Sequence, residues 1–188
     1  MANFEMQTVQ MSKSEMLKRV ARRDELQPSK VAFIDTVLPG YERETFNVIG
    51  LGVTENPDVR AAIPGDGGFN VTYIRNKPGA RGALHAHPTV EVFIPMSGRW
   101  AVIWGDDSDF DKTENQIELE PGDVISVPPG VMRCFKNVGT EEAWLLVIFG
   151  LVKGQEDSGK VMWPAGVLEE AQKYGVGRDE SGQMIRAK

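Results

Sequence analysis

Residues 79–98, GARGALHAHPTVEVFIPMSG, carry the clearest signal for the fold of this chain. They contain both histidines of the 188-residue sequence, His85 and His87, and Glu91 follows four positions after the second. In an extended chain, residues two apart point to the same face, so these three side chains share one face. Two imidazoles and a carboxylate that converge on one point are a ligand set for a divalent transition metal, with coordination positions left open. The stretch therefore predicts extended structure that carries a metal site.

The spacing of the fixed residues in this stretch resembles that of a known family. Two glycines enclose the histidines and the glutamate at set intervals: Gly79, His85, His87, Glu91 and Gly98. The pattern is similar to the first conserved motif of the cupin superfamily. Cupins supply metal ligands from the two histidine positions and the glutamate position. The resemblance therefore implies that His85, His87 and Glu91 are the metal ligands.

A second pattern lies further along the chain. Its fixed positions are Gly122, Pro128, Gly130, Arg133 and Asn137. They resemble the second cupin motif at every position but one, because Arg133 stands where cupins carry a third histidine ligand. Together the two motifs imply an all-β fold, a cupin jelly-roll β-barrel with short N- and C-terminal helices.

The distribution of apolar and turn-forming residues agrees with an all-β fold. About nine short runs rich in β-branched and aromatic residues alternate with clusters of Pro, Gly, Asn and Asp, without alternation of strand and helix. This pattern is typical of two facing antiparallel sheets. We predict an N-terminal extension with a helix at 1–30, the cupin barrel at 31–152, and a C-terminal extension with a short helix and a polar tail at 153–188. The acidic run 106–116 is predicted to be a solvent-facing loop.

The terminal extensions carry signals for helices. Ser12 and Glu15 have the spacing of a capping box, and the helix that they open is expected to end at Pro28. Apolar residues on one face of this helix are Met16, Leu17, Val20 and Ala21. We expect that face to dock on the barrel or on a second subunit. A second helix is predicted to begin at Trp163 and to stop at Gly175, followed by a loosely held tail.

Arg133 bears most directly on the predicted metal site. In the cupin pattern this side chain points into the barrel, and a guanidinium has only donors and cannot coordinate a metal. Three arrangements are open. Arg133 clamps the carboxylate of a substrate at a metal held by the three ligands, or it pairs with Glu91 and leaves the barrel metal-free, or it turns outward and has no role in the site.

Four further residues have candidate roles near the barrel interior. Tyr73, on the strand before the first motif, is a candidate hydroxyl for substrate binding. Trp100 and Trp104 lie four residues apart and share a sheet face, where packing is the expected role and an aromatic pocket is the alternative. Cys134 follows Arg133, so it is expected on the opposite face as a buried structural thiol.

Composition narrows the classes of partner. The chain has 21 Lys and Arg against 27 Asp and Glu, which gives a net charge of −6. That charge argues against nucleic acid or an anionic membrane as the main partner. The N-terminus lacks a basic region followed by an apolar core, no apolar run approaches membrane-spanning length, and the single cysteine cannot form an internal disulfide. We therefore expect a cytoplasmic protein whose partner is a small molecule.

The predicted function follows from the site. We predict a metal-binding cupin enzyme that acts on a small acidic or aromatic organic compound, in the manner of the dioxygenases of the family. The metal is a divalent ion, with iron first and manganese, nickel or zinc as alternatives. Two other functions stay open, a metal-free cupin that binds or senses a metabolite and a metal-dependent isomerase or lyase. A homodimer is expected, because a second subunit can cover exposed strand edges.

Overall fold

Antiparallel strands make up most of the regular structure. A computed structural model describes residues 8–50, 54–65, 68–105, 114–150 and 160–186. The strands are β1 (Glu44–Ile49), β2 (Phe69–Asn76), β3 (Glu91–Pro95), β4 (Trp100–Trp104), β5 (Gln116–Leu119), β6 (Ile125–Val127), β7 (Arg133–Asn137), β8 (Ala143–Gly150), β9 (Val176–Arg178) and β10 (Met184–Arg186). The helices are α1 (Lys13–Leu17) and α2 (Ala165–Lys173), with 3-10 turns at Arg23–Glu25 and Ile34–Val37.

Two sheets enclose the core. One has five strands in the order β1-β2-β8-β3-β6, and the other has three in the order β5-β4-β7, with every pairing antiparallel. Buried side chains of both sheets form one cluster, which includes Phe93 and Leu145 from the first sheet and Trp100 and Phe135 from the second. The predicted all-β jelly roll with short terminal helices is therefore confirmed.

Strand β8 shows why this sequence forms a sandwich. It lies between β2 and β3 in the five-stranded sheet, and alternate residues along it are fully buried. The inward residues are apolar, and they are Ala143, Leu145, Val147 and Phe149. Alternation along a strand places these four on one face, where burial of apolar area stabilises the packing against the second sheet.

The N-terminal extension differs in part from its prediction. Helix α1 has the predicted capping box, in which Glu15 N donates to Ser12 Oγ and Ser12 N donates to the Glu15 carboxylate. The helix ends at Leu17 instead of Pro28, and none of its residues is buried. The apolar face of α1 is therefore not docked on the described part of its own barrel.

The C-terminal extension is more ordered than predicted. Helix α2 occupies the predicted region, but the segment after Gly175 forms a hairpin of β9 and β10 instead of a loose tail. Met184 N donates to Glu55 O at 2.9 Å, and its side chain packs with Ile34 and Ala171. Most of the predicted acidic loop, 106–113, lies outside the described residues. Within the described ranges, no helix is long and apolar enough to cross a membrane.

The first motif ends in a turn that only glycine fits. Gly98 has a φ of +68°, and a Cβ built on it lies 2.5 Å from the Cβ of Ala143. Gly130 of the second motif also has a positive φ, of +78°, but a Cβ there meets no atom within 4 Å. Both glycines therefore adopt a positive φ that disfavours other residues. At Gly98 a side chain would also clash with Ala143.

This difference predicts unequal effects of two matched substitutions. Gly130→Ala should lower the free energy of unfolding by about 1–2 kcal/mol through backbone strain alone. Gly98→Ala should lower it by about 3 kcal/mol, because overpacking against Ala143 adds to the strain. Urea denaturation of the two variants measures both values. If both variants lose the same unfolding free energy, the structure around Ala143 accommodates the added methyl group without cost, and the prediction is wrong.

Candidate metal centre

The two histidines lie in a short extended segment between two backbone partners. His85 pairs with Arg133 of β7 through two hydrogen bonds, and Ala86 pairs with Met162 through two more. The pairing keeps residues 85–87 extended, so the two imidazoles point to one side and the Ala86 methyl to the other. Glu91 is the first residue of β3. The structure thus brings the three predicted ligands together in the way that their spacing predicts.

The three side chains meet in a buried place. His85, His87 and Glu91 are 5%, 1% and 1% exposed. One ligand atom from each lies within 4.8 Å of the others, and His87 Nε2 is 4.0 Å from Glu91 Oε1. The imidazole rings are nearly perpendicular, with centroids 5.1 Å apart. The three ligand atoms are therefore close enough together to surround a single ion.

Backbone carbonyls set the tautomer of both histidines. His85 Nδ1 lies 2.8 Å from Ala83 O, and His87 Nδ1 lies 3.0 Å from Lys160 O. A carbonyl oxygen only accepts, so each Nδ1 must carry the proton and donate it. The lone pair then stays on Nε2, which is the free nitrogen of each ring. Both histidines are prepared to bind a metal through Nε2.

Burial keeps the imidazoles neutral. It lowers the pKa of His85 to well below the ordinary histidine value, and nearby His87 and Arg133 add to this effect. Burial also lowers the pKa of His87 to about 3, again with the help of Arg133. Metal binding requires neutral imidazoles, so at neutral pH neither ring has to lose a proton first.

Arg133 points inward and pairs with Glu91. Its Nε donates to Glu91 Oε2 at 2.7 Å. Nη2 is also 2.6 Å from Oε2, but only as a charge contact, because its N–H bonds are not aligned on that oxygen. Both side chains are almost fully buried. The outward arrangement of Arg133 is therefore wrong.

The ion pair does not remove the carboxylate from the ligand set. Arg133 takes only Oε2 of Glu91, while Oε1 faces His87 Nε2. A carboxylate has two oxygens, so it can bond a guanidinium with one and a metal with the other. Burial raises the pKa of Glu91 to about 7, and the Arg133 charge opposes this shift. Pairing with Arg133 and coordination of a metal are thus compatible.

The cavity in front of the possible ligands has room for one small occupant. Its volume is about 20 Å³, which is enough for one water or ion. Phe135, Phe149 and Trp163 are among its walls, and the three ligands line it as well. Arg133 is absent from the wall because it stands behind Glu91. The clamp of Arg133 on a substrate carboxylate stays a prediction.

Arg43 is the cation in the cavity wall, and no sequence pattern predicted its place there. It is 6% exposed, and its Nη1 and Nη2 donate to the two oxygens of Asp35 at 2.9 and 2.8 Å. Asp35 Oδ2 also accepts from Ala83 N at 2.9 Å, and Ala83 O holds His85 Nδ1. This chain of hydrogen bonds links Arg43 to a metal ligand. Neither residue belongs to a motif, so no sequence signal identified them.

The segment 160–163 closes one side of the site, although it falls in the predicted C-terminal extension. Lys160 O holds His87, and the Trp163 ring lies 5.2 Å from the His85 ring. Trp163 Nε1 donates to Glu55 Oε1 at 2.9 Å, and Arg178 pairs with the same oxygen. Burial raises the pKa of Glu55 even though Arg178 lowers it. Residues far from both motifs therefore complete the site.

The remaining predicted residues lie outside the cavity wall. Tyr73 is on the outer face of β2, where its ring meets Trp144 edge-on at 6.4 Å, so its hydroxyl does not serve this cavity. Trp100 is fully buried in the core, as the packing prediction required, while Trp104 at the end of β4 is 36% exposed. Cys134 is fully buried, and burial raises its pKa to about 12, which fits a structural thiol.

A divalent metal fits this donor set. Two neutral imidazole nitrogens and one carboxylate oxygen are ligands for iron, manganese, nickel or zinc. Metal bonds of about 2.0–2.2 Å require each donor to move inward by less than about 1 Å from its present position. The atom-sized cavity supplies the space. The described residues therefore form a possible metal site of His85, His87 and Glu91.

The ion pair predicts a double-mutant cycle. Arg133→Met leaves Glu91 as a buried charge without its partner, and Glu91→Leu does the same to Arg133. Each single variant should lose about 3–5 kcal/mol of unfolding free energy. The double variant should lose much less than the sum, because no unpaired charge remains. Urea denaturation of the metal-free proteins measures this, and additive losses would contradict the coupling.

The low pKa of His87 predicts an acid sensitivity. In the unfolded chain a histidine takes up its proton near pH 6.5, whereas folded His87 does so near 3. Since the folded-state pKa is depressed, this contribution to stability is complete above about pH 6.5 and is lost as the pH falls toward 3. The loss at pH 5 is about 2 kcal/mol.

Comparison with a variant isolates this contribution. His87→Gln has no titrating group at this position, so between about pH 7.5 and 5 the metal-free variant should lose about 2 kcal/mol less than the wild type. Urea denaturation at both pH values gives the difference. The raised pKa of Glu91 acts in the opposite direction, but it is present in both proteins. If the wild type and His87→Gln lose the same unfolding free energy between these pH values, the prediction is wrong.

Part of the chain is similar to known proteins. The family model described as Cupin domain matches residues 72–149. A germin-like protein of Arabidopsis thaliana, subfamily 1 member 2, is 31% identical over 127 residues, which are 66% of this chain and 52% of that protein. The chain thus spans about half the length of the curated relative that it matches.

Two solved structures are similar at lower identity. An RmlC-like cupin from Shewanella frigidimarina is 15% identical, covers 71% of this chain and 91% of its own, and has a TM-score of 0.47. A cupin-like protein from Thermotoga maritima is 20% identical, covers 71% and 84%, and has a TM-score of 0.46. The matched residues 72–149 contain all three possible metal ligands and Arg133. The chain therefore contains a cupin domain over residues 72–149.

Proposed function

We propose that this protein is a metal-dependent cupin enzyme that acts on a small acidic or aromatic organic compound, with dioxygenase chemistry as its activity. One observation carries the proposal: two neutral imidazoles and a free carboxylate oxygen converge on a buried, atom-sized cavity. Packing alone does not require both histidines to hold their Nε2 lone pairs toward the same point. Perturbed titratable groups that converge in a cavity are typical of functional sites.

Each residue has a separate role in this proposal. His85 and His87 bind through Nε2, because Ala83 and Lys160 carbonyls hold their Nδ1 protons. Glu91 binds through Oε1, and Arg133 fixes its orientation through Oε2. A divalent metal held by three protein ligands supplies open coordination positions for an organic acid and for dioxygen, and we propose iron first, with manganese, nickel or zinc as alternatives.

The surroundings of the cavity support an acidic or aromatic substrate. Arg43 lines the wall and Arg133 stands behind Glu91, so two guanidinium groups are buried near the possible metal. Their partners Asp35 and Glu91 neutralise them, and a bound dication adds positive charge that an anionic substrate would balance. Phe135 and Phe149 line the cavity with apolar aromatic rings, which limit the access of bulk water to the possible metal.

Two alternatives remain distinct hypotheses. The ion pair of Arg133 and Glu91 satisfies both buried charges without a metal, which favours a metal-free cupin that binds or senses a metabolite. The same three ligands also suit redox-inert ions, which favours a metal-dependent isomerase or lyase. Dioxygenase chemistry remains our first proposal, because a metal with three protein ligands and open coordination positions is typical of non-heme iron oxygenases.

We further propose that the protein is a homodimer in the cytoplasm. The exposed apolar residues Met16, Leu17 and Val20 support the dimer, since they are 53%, 53% and 47% exposed. A helix as short as α1 is not stable in water by itself, so a second subunit is the expected support for this face. Sedimentation equilibrium measures the assembly, and a monomer would rule out this role for α1.

Elemental analysis tests the metal. Protein purified without chelators, or reconstituted with ferrous iron, should hold about one equivalent of divalent metal. His87→Ala should hold none, because one of three ligands is gone. Val102→Ala is the matched control, since Val102 is buried in the core and does not line the cavity. The control should lose stability and keep its metal.

The same preparations separate the three functions. The dioxygenase proposal expects oxygen uptake by the iron form with aromatic or carboxylic acids, and none by the zinc form. Equal activity with zinc or manganese would favour the isomerase or lyase. If no metal binds after reconstitution, the enzyme proposal is wrong and the metabolite-binding function replaces it.

A further inference from the structure

The cavity at the possible metal ligands is too small for an organic molecule. Its volume of about 20 Å³ accommodates one water-sized occupant. A second cavity, here called the outer groove, has a volume of about 640 Å³. Small-molecule sites have volumes of about 300–1,000 Å³, so the outer groove is large enough for the kind of compound proposed above.

Arg43 forms a wall that the two cavities share. It lines the outer groove and also lines the cavity that His85, His87 and Glu91 enclose. Its charge is paired with Asp35, and the pair is buried, so the side chain is held in this position. The outer groove is therefore adjacent to the possible metal site and is not an unrelated surface feature.

Four cations and three carboxylates line the outer groove, and one of the cations, Arg43, is already paired with Asp35. The three carboxylates all have donors: Glu42 accepts from Gly40 N at 2.8 Å, Glu44 accepts from Arg75, and Glu142 lies 3.5 Å from Arg75 Nε. Lys30 and Lys77 also line the groove. Neither ammonium group has a hydrogen bond or ion pair with any residue in the described ranges.

We propose that the outer groove binds a small organic anion that carries carboxylate or phosphate groups, with Lys30 and Lys77 as its charged contacts and Arg43 as the wall toward the metal site. Lys30 and Lys77 are the charged groups of the groove without a partner in the described ranges, so they are the groups available to bind an anion. Anion binding itself does not require a metal. The identification of this anion as the substrate rests on the proposed function.

Isothermal titration calorimetry of metal-free protein tests the binding. The probes are malonate, succinate and inorganic phosphate, and removal of metal prevents their direct coordination. At least one probe should bind the wild type. Its Kd should rise by about tenfold or more in Lys30→Gln/Lys77→Gln, because each substitution removes a charge-assisted hydrogen bond.

A second double variant controls for net charge. Lys13→Gln/Lys18→Gln removes the same two charges from α1 and its C-cap, which do not line the groove. Its Kd should stay within about twofold of the wild-type value, since screening limits the effect of distant surface charges. Equal losses in both variants, or no binding of any probe at millimolar concentration, would overturn the proposal.

The two proposals fail in different ways. If the wild type holds metal but no probe binds the groove, the inference about the groove is wrong and the proposed function stands. If probes bind and depend on Lys30 and Lys77 but no metal is found, the groove is a ligand site of a metal-free cupin. If a probe binds only after metal is added, the anion binds at the metal, and the proposed binding in the outer groove is wrong.

Discussion

The buried ion pair between Arg133 and Glu91 is the constraint on which the site depends. Glu91 begins β3 in the five-stranded sheet, and Arg133 begins β7 in the three-stranded sheet, so the pair crosses the interior from one sheet to the other. Either charge alone in this interior would be strongly destabilising. Each residue therefore needs the other in place, and the two motifs can be buried only together.

The ion pair also shapes the electrostatics of the histidines. Arg133 uses one oxygen of Glu91 and leaves the other free, while its permanent charge helps to keep His85 and His87 neutral. Backbone carbonyls of Ala83 and Lys160 then fix both tautomers. A guanidinium in the position of a third histidine thus leaves the ligand set intact, because it acts through the carboxylate that it orients. The cation that faces the cavity is instead Arg43.

Local patterns account for what the sequence predicted correctly. The i, i+2 spacing of the histidines places their rings on one side wherever the chain is extended, and short-range hydrogen bonds create the capping box at Ser12. The end of α1 and the order of the C-terminal hairpin were predicted wrongly. The hairpin is held by contacts with distant residues, such as the bond from Met184 N to Glu55 O, which no local pattern records. Helix α1 has no buried residue, so a longer helix would gain no packing for its apolar face.

The all-β fold, the two motifs and the three possible ligands could be predicted from the sequence, since turn glycines, strand alternation and ligand spacing act over a few residues. The folded structure was needed to show that Arg133 pairs with Glu91 beside the possible metal site, that Tyr73 faces outward, and that Arg43 and Trp163 line the cavity. These facts depend on how side chains far apart in the sequence meet after both sheets pack. Burial then sets their charge states, and burial is a property of the folded interior that no spacing along the chain specifies.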